Sequence, residues 1–230
     1  MRLDRLLCQH PKWNRRHVLG LLVQGRVTVN EAVVTNPTHE VSVFDTVHAD
    51  GELCQAGKPA HYLMLNKPAG ILSATSDPVH PTVMQLLPEA LAKDLHIGGR
   101  LDRASTGLML LTNDGQWSRR ATDPDKRSPK VYRVTLANPI HPDTERVFAE
   151  GIYFPFEAIT TSPAQLERLG ECECRLTIYE GRYHQIKRMF GRFRNPVVAL
   201  HRESMGAITL DPTLAPGQYR ALTAEEIASV

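Results

Sequence analysis

Gly98-Gly99-Arg100-Leu101-Asp102-Arg103-Ala104-Ser105-Thr106-Gly107, running on into Leu108-Met109-Leu110-Leu111-Thr112, is the stretch on which the reading of this chain depends. Glycines bound a polar loop, a strand follows from Leu108 to Thr112, and Asn113-Asp114-Gly115 supplies a turn. Asp102 therefore sits on a loop held by rigid structure at its ends. An Asp between glycines is, taken alone, more often a turn former, and Asp114 reads that way. Only its surroundings can single Asp102 out.

Upstream, a strand from Tyr62 to Asn66 ends in Lys67-Pro68-Ala69-Gly70. Downstream, strands are expected at Lys130 to Leu136 and Glu173 to Tyr179. The run Glu171-Cys172-Glu173-Cys174-Arg175-Leu176-Thr177-Ile178 alternates with period two, which puts both thiols on one buried strand face with Leu176 and Ile178. Zinc would need a second ligand pair, and none is visible. After Glu180-Gly181, the residues Ile186, Met189, Phe190 and Phe193 recur at i, i+3, i+4 and i+7, an apolar helix face that Asn195-Pro196 stops. Lys187 lies at the border of that face, where it can reach into a cleft. Tyr132 alternates with its neighbours on a strand, so packing alone would account for it.

The first residues form a separate module. Asn14 is placed to cap a helix from Arg15 to about Gln24, with Leu19, Leu22 and Val23 as its apolar stripe and Gly25 as its stop. Arg26 to Asn30 alternates as a strand, Asn30-Glu31 turns, and Val33-Val34 begins the return. Periodicity lapses between Gly51 and Pro59, which marks a linker and divides residues 1–58 from 59–230.

The net charge of +2 conceals strong segregation. Residues 1–30 carry six basic residues, Arg2, Arg5, Lys12, Arg15, Arg16 and Arg26, against the single acid Asp4. Residues 181–202 hold Arg182, Lys187, Arg188, Arg192, Arg194 and Arg202 with no Asp or Glu. One basic run is usually a solvated face. Two runs, with the balancing acids elsewhere, suggest a polyanion tracked across a surface, and RNA or DNA is the leading partner.

The segments Gly99-Arg100-Leu101-Asp102 through Gly107-Leu108, Leu65-Asn66-Lys67-Pro68-Ala69-Gly70, Lys130-Val131-Tyr132 and Gly181-Arg182-Tyr183-His184-Gln185-Ile186-Lys187 resemble, in order along the whole chain, the pseudouridine synthases of the RsuA group. Residues 1–58 likewise resemble the αL, S-four-type RNA-binding fold. The resemblance implies an α+β protein, in which that small domain precedes a catalytic domain, residues 59–230, built on a mixed, mainly antiparallel sheet flanked by helices. It implies isomerisation of a uridine in ribosomal RNA, uridine 516 of 16S RNA in this group, in an assembling small-subunit particle. Residues 66–87 and Leu214 to Arg220 look closest to the small-subunit enzymes; a 23S enzyme of the same group is the neighbouring alternative.

By the same resemblance Asp102 is the catalytic carboxylate, Tyr132 stacks on the uracil, and Lys187 is the cation that keeps a desolvated Asp102 ionised. The family has Thr three residues after the catalytic Asp, where this chain has Ser105 beside Thr106. RNA contacts are expected from Arg2, Arg5, Arg15, Arg16, Arg26, Lys67, Arg100, Arg182, His184, Gln185 and Arg188. Breaking a glycosidic bond and rejoining the same base through carbon consumes nothing, so neither cofactor nor metal is called for, and the ten histidines show no ligand spacing.

A composition of 42% hydrophobic and 23% charged residues excludes a disordered chain. No apolar run approaches the roughly 18 residues that span a bilayer, and four scattered cysteines make no disulfide framework. These point to a cytoplasmic protein without a membrane segment, expected as a monomer. A non-enzymatic RNA-binding assembly factor is the reading from another class; a carboxylate facing RNA phosphates argues against it.

Overall fold

In the computed structural model, which describes residues 1–230, the chain divides between Ala60 and His61. The first unit contains α1 (Leu3–Leu7), α2 (Arg15–Val23), β1 (Val27–Val29), β2 (Ala32–Val33), β3 (Val47–Ala49) and β4 (Glu52–Gln55), with the antiparallel strand order β2-β1-β3-β4. The Asn14 side chain accepts a hydrogen bond from His17 N at 2.9 Å and so starts α2, and Gly25, at φ +69°, ends it. Asn30 and Glu31, both with positive φ, make the tight turn between β1 and β2.

Two expectations for this unit need correction. The buried stripe of α2 is Val18, Leu21 and Leu22, with Leu19 and Val23 exposed. Both sets fit a helical period, and the sheet beneath selects the first. The stretch taken as a linker from Gly51 to Pro59 contains β4, reached through a hairpin turn at Asp50 and Gly51. β4 lies at the sheet edge and is largely exposed, so it carries no apolar alternation from which a strand could be read.

The second unit contains β5 (Tyr62–Lys67), a 3-10 turn at Val83–Leu86, α3 (Glu89–Ala92), β6 (His96–Gly98), β7 (Thr106–Thr112), α4 (Gly115–Thr122), β8 (Lys130–Leu136), α5 (Thr144–Glu150), β9 (Tyr153–Phe154), β10 (Ile159–Thr160), β11 (Gln165–Arg168), β12 (Glu173–Ile178), α6 (Gln185–Gly191), β13 (Val197–Met205), β14 (Ile208–Thr209), β15 (Tyr219–Ala221) and α7 (Ala224–Ala228). Its main sheet runs β11-β12-β8-β13-β7-β5-β15, with β6 paired to β7 and β14 to β13. Every pairing is antiparallel except β13 with β7.

Both faces of the central strands are covered. Leu63, Leu65, Met109, Leu111, Tyr132, Val134 and Leu176 join one core with Ile186, Met189 and Phe190 of α6. Met64, Leu108 and Leu110 join the other, under Trp117 and Ala121 of α4. That two-sided burial explains the unbroken apolar run of β7. Asp114, read as a turn former, is the N-cap of α4: its carboxylate accepts from Gln116 N at 2.9 Å and Trp117 N at 3.1 Å. No helix is long and apolar enough to cross a membrane.

Candidate active site

The loop between β6 and β7 carries Asp102, and the chain beneath it fixes nearly every carbonyl. The fully buried Lys67, at the end of β5, donates from Nζ to the carbonyls of Pro68 at 2.9 Å, Arg103 at 3.2 Å and Ser105 at 2.8 Å. Arg202, on β13 and also buried, donates to Leu108 O at 2.8 Å, Gly99 O at 3.0 Å and Arg100 O at 3.3 Å. Ser73 brackets Leu101, its Oγ donating to Leu101 O at 2.6 Å and accepting from Leu101 N at 3.1 Å. Gly70 N reaches Arg103 O at 2.8 Å. Two buried cations are thus solvated by carbonyl dipoles rather than by carboxylates.

Gly107 is where the loop enters β7. Its φ is +101°, and a Cβ there would collide with the carbonyl of Arg202, its partner in the parallel pairing. Only glycine lets β13 come this close.

So held, Asp102 presents its carboxylate to the start of α6. Lys187 Nζ stands 3.2 Å and His184 Nε2 3.5 Å from the same oxygen, Oδ2. All three side chains remain about a third exposed, at 30% for Asp102, 36% for Lys187 and 37% for His184. They open onto a solvent-exposed cleft whose walls include Arg100, Ser105, Tyr132, Ile178 and Leu200. Tyr132 is 7% exposed and belongs at once to the core and to the cleft wall.

The other residues singled out from sequence fall into two groups. Arg100 is exposed at the cleft and makes no ion pair. Arg182 pairs with Glu180 at 3.0 Å. Gln185 is buried, with its amide donating to Glu180 Oε1 at 2.8 Å and its carbonyl oxygen accepting from Arg182 N at 3.0 Å. Arg188 holds Glu157 through two hydrogen bonds of 2.9 Å and lies 3.7 Å over the Phe154 ring. Lys67 and Gln185 are therefore buried ties within the protein, and Arg188 is half-buried and already paired with Glu157. In the first unit, Arg2 pairs with Asp4 at 2.7 Å and Arg26 with Asp50, whereas Arg5, Arg15 and Arg16 are exposed without a carboxylate partner.

Sequence reading missed Ser73, which had no motif to mark it, and counted Arg202 only as one charge in a basic run. No three His, Cys, Asp or Glu side chains gather into a ligand set. What the site offers chemically is one oriented carboxylate, two nitrogen groups beside it that both come closest to the same oxygen, and an aromatic wall.

Residues 61–191 match the RNA pseudouridylate synthase family, and residues 1–47 match the S4 domain. Over 230 residues the chain is 57% identical to "Ribosomal small subunit pseudouridine synthase A" of Pseudomonas aeruginosa, covering 100% of both chains. Over 231 residues it is 48% identical to the protein of that name from Escherichia coli, again covering 100% of both. Among solved structures, one described as a crystal structure of pseudouridylate synthase superimposes with a TM-score of 0.73 at 41% identity, covering 100% of this chain and 99% of that one.

Proposed function

The chain belongs to the RNA pseudouridylate synthase family, in the RsuA group that places an S4 domain ahead of the synthase domain, and from that premise we propose that it converts one uridine of small-subunit ribosomal RNA, uridine 516 of 16S RNA, into pseudouridine with Asp102 as the reacting carboxylate. Residues 1–58 dock on RNA and residues 59–230 carry the chemistry. The protein acts as a monomer in the cytoplasm, on an assembling small-subunit particle.

The observation that carries this reading is the setting of Asp102 at the cleft. Lys187 and His184 both come closest to Oδ2, which orients the carboxylate, and Oδ1 is assigned as the oxygen that meets the nucleotide. Oδ1 acts at the sugar, either as nucleophile or as base. The bond from the sugar to uracil N1 breaks, the freed uracil turns within the cleft, and a bond forms to C5; the proton displaced from C5 is lost and N1 ends protonated. Product and substrate are isomers, so no reagent is consumed. Tyr132 supplies an aromatic wall for the turning uracil, and Arg100, free of any carboxylate, meets phosphate. Extracting the uridine from its helix costs a few kcal/mol, about what such contacts return.

The direct test is to map pseudouridines in ribosomal RNA from cells with and without this protein. We expect modification at uridine 516 of 16S RNA to vanish and to return with the wild-type gene. Its persistence in the deletion strain would remove the assigned target.

A further inference from the structure

Tyr183 is 75% exposed, and its ring lies against that of His184 with centroids 3.9 Å apart and planes inclined by 20°. Residues on both sides of it, Arg182 and His184, line the Asp102 cleft, so the Tyr183 ring stands at the rim. The exposure is imposed rather than incidental. Gln185 N donates to Arg182 O at 3.1 Å, Arg182 N donates to Gln185 Oε1 at 3.0 Å, and Arg188 Nη1 donates to Tyr183 O at 3.3 Å, which closes the turn around this residue. His184 takes φ +48°, a left-handed conformation that non-glycine residues rarely adopt. That conformation starts α6 with His184 Nε2 3.5 Å from Asp102 Oδ2 and the imidazole stacked against the Tyr183 ring.

A rigid, flat, solvent-facing aromatic pair beside cationic groups is suited to receive another π face. We propose that the Tyr183–His184 stack is a second base-binding subsite, on which the unpaired base next to the target uridine stacks while that uridine occupies the cleft. The occupant is one nucleobase of the same RNA strand, so the inference rests on the RNA reading above. Stacking tolerates any base, so this subsite selects for a neighbour that is unpaired rather than for its identity. The two rings are already stacked and their turn is tied, so little ordering cost is left for binding.

The test measures Kd for the full-length protein on a synthetic RNA hairpin carrying the target uridine, and on the same hairpin with an abasic ribose on its 5′ or its 3′ side. Base stacking on an aromatic side chain, about 1 to 3 kcal/mol, corresponds to about 5- to 150-fold in Kd. For Tyr183→Ala we expect a weakening in that range on the intact hairpin and none on one of the abasic hairpins, where the wild type is already weaker by the same factor. Tyr183→Phe keeps the stack and binds as the wild type does, which separates missing stacking from misfolding. A Tyr183→Ala protein that binds the intact hairpin as tightly as wild type overturns the proposal, as does a weakening of the same size on all three hairpins. Because Kd needs no turnover, failure to form pseudouridine would fall on the function above and leave this result legible.

Discussion

Lys67 presents no surface to solvent, yet its ammonium holds three carbonyls around Asp102. Burial pulls its pKa from 10.5 down to about 8, against the charge of Asp102, which pulls it up. The lysine is still mostly charged at neutral pH. Lys67→Met leaves the carbonyls bare, at about 1 to 3 kcal/mol for each that finds no water, so we expect a loss of about 2 to 4 kcal/mol of stability. The sign of the pH dependence follows from linkage. The unfolded chain, with the ordinary pKa of 10.5, binds this proton more tightly than the folded one, so the lysine's contribution to stability rises as pH climbs from about 8 toward 10.5 and falls away as pH drops through about 8. Denaturant unfolding of wild type and Lys67→Met from pH 7 to 10 should show a gap that widens above pH 8. A gap near zero would show that Lys67 does not hold the loop, and a gap flat across that range would show that burial does not lower its pKa in the folded protein. From sequence Lys67 stands at a strand end as an expected RNA contact, because nothing local reveals that three carbonyls converge on it.

At the level of elements, legibility followed the range of the interaction. The strands β5, β8 and β12 and the buried face of α6 were readable because period-two and period-3.6 patterns are written within one segment. α4 escaped because Gly115 to Thr122 is mostly polar; Trp117 and Ala121, one turn apart, are its only apolar signal, and the Asp114 cap looks like a turn. The site divides in the same way. Asp102, Tyr132 and Lys187 stood out through motifs shared with a known family, and the structure brings all three to one cleft. What makes the Asp102 loop rigid was hidden, since Arg202 reaches it only because β13 runs parallel to β7 with Arg202 opposite Gly107. Strand register of that kind leaves no trace in either segment alone. Ser73 is hidden for the same reason.

On the scale of the whole molecule, the +5 balance of residues 1–30 (six basic minus one acidic) divides into paired and free charge. Arg2, Lys12 and Arg26 form ion pairs with Asp4, Glu52 and Asp50, while Arg5, Arg15 and Arg16 form none. If the free three meet phosphates, replacing all of them with alanine should weaken RNA binding and flatten the log Kd against log salt line by about 0.7 to 0.9 for each phosphate no longer neutralised. Superimposable slopes for variant and wild type would mean that this charge never touches RNA. Docking and chemistry are then separable, and that separation sharpens the test of the central claim, that one oxygen of Asp102 performs the reaction. Asp102→Asn keeps the side chain's volume and removes the reacting carboxylate. Pseudouridine formed on small-subunit ribosomal RNA by the purified Asp102→Asn protein, at concentrations saturating its own Kd, is the measurement. We expect RNA affinity within a few-fold of wild type and no detectable product; turnover above about one per cent of the wild-type rate would contradict the account.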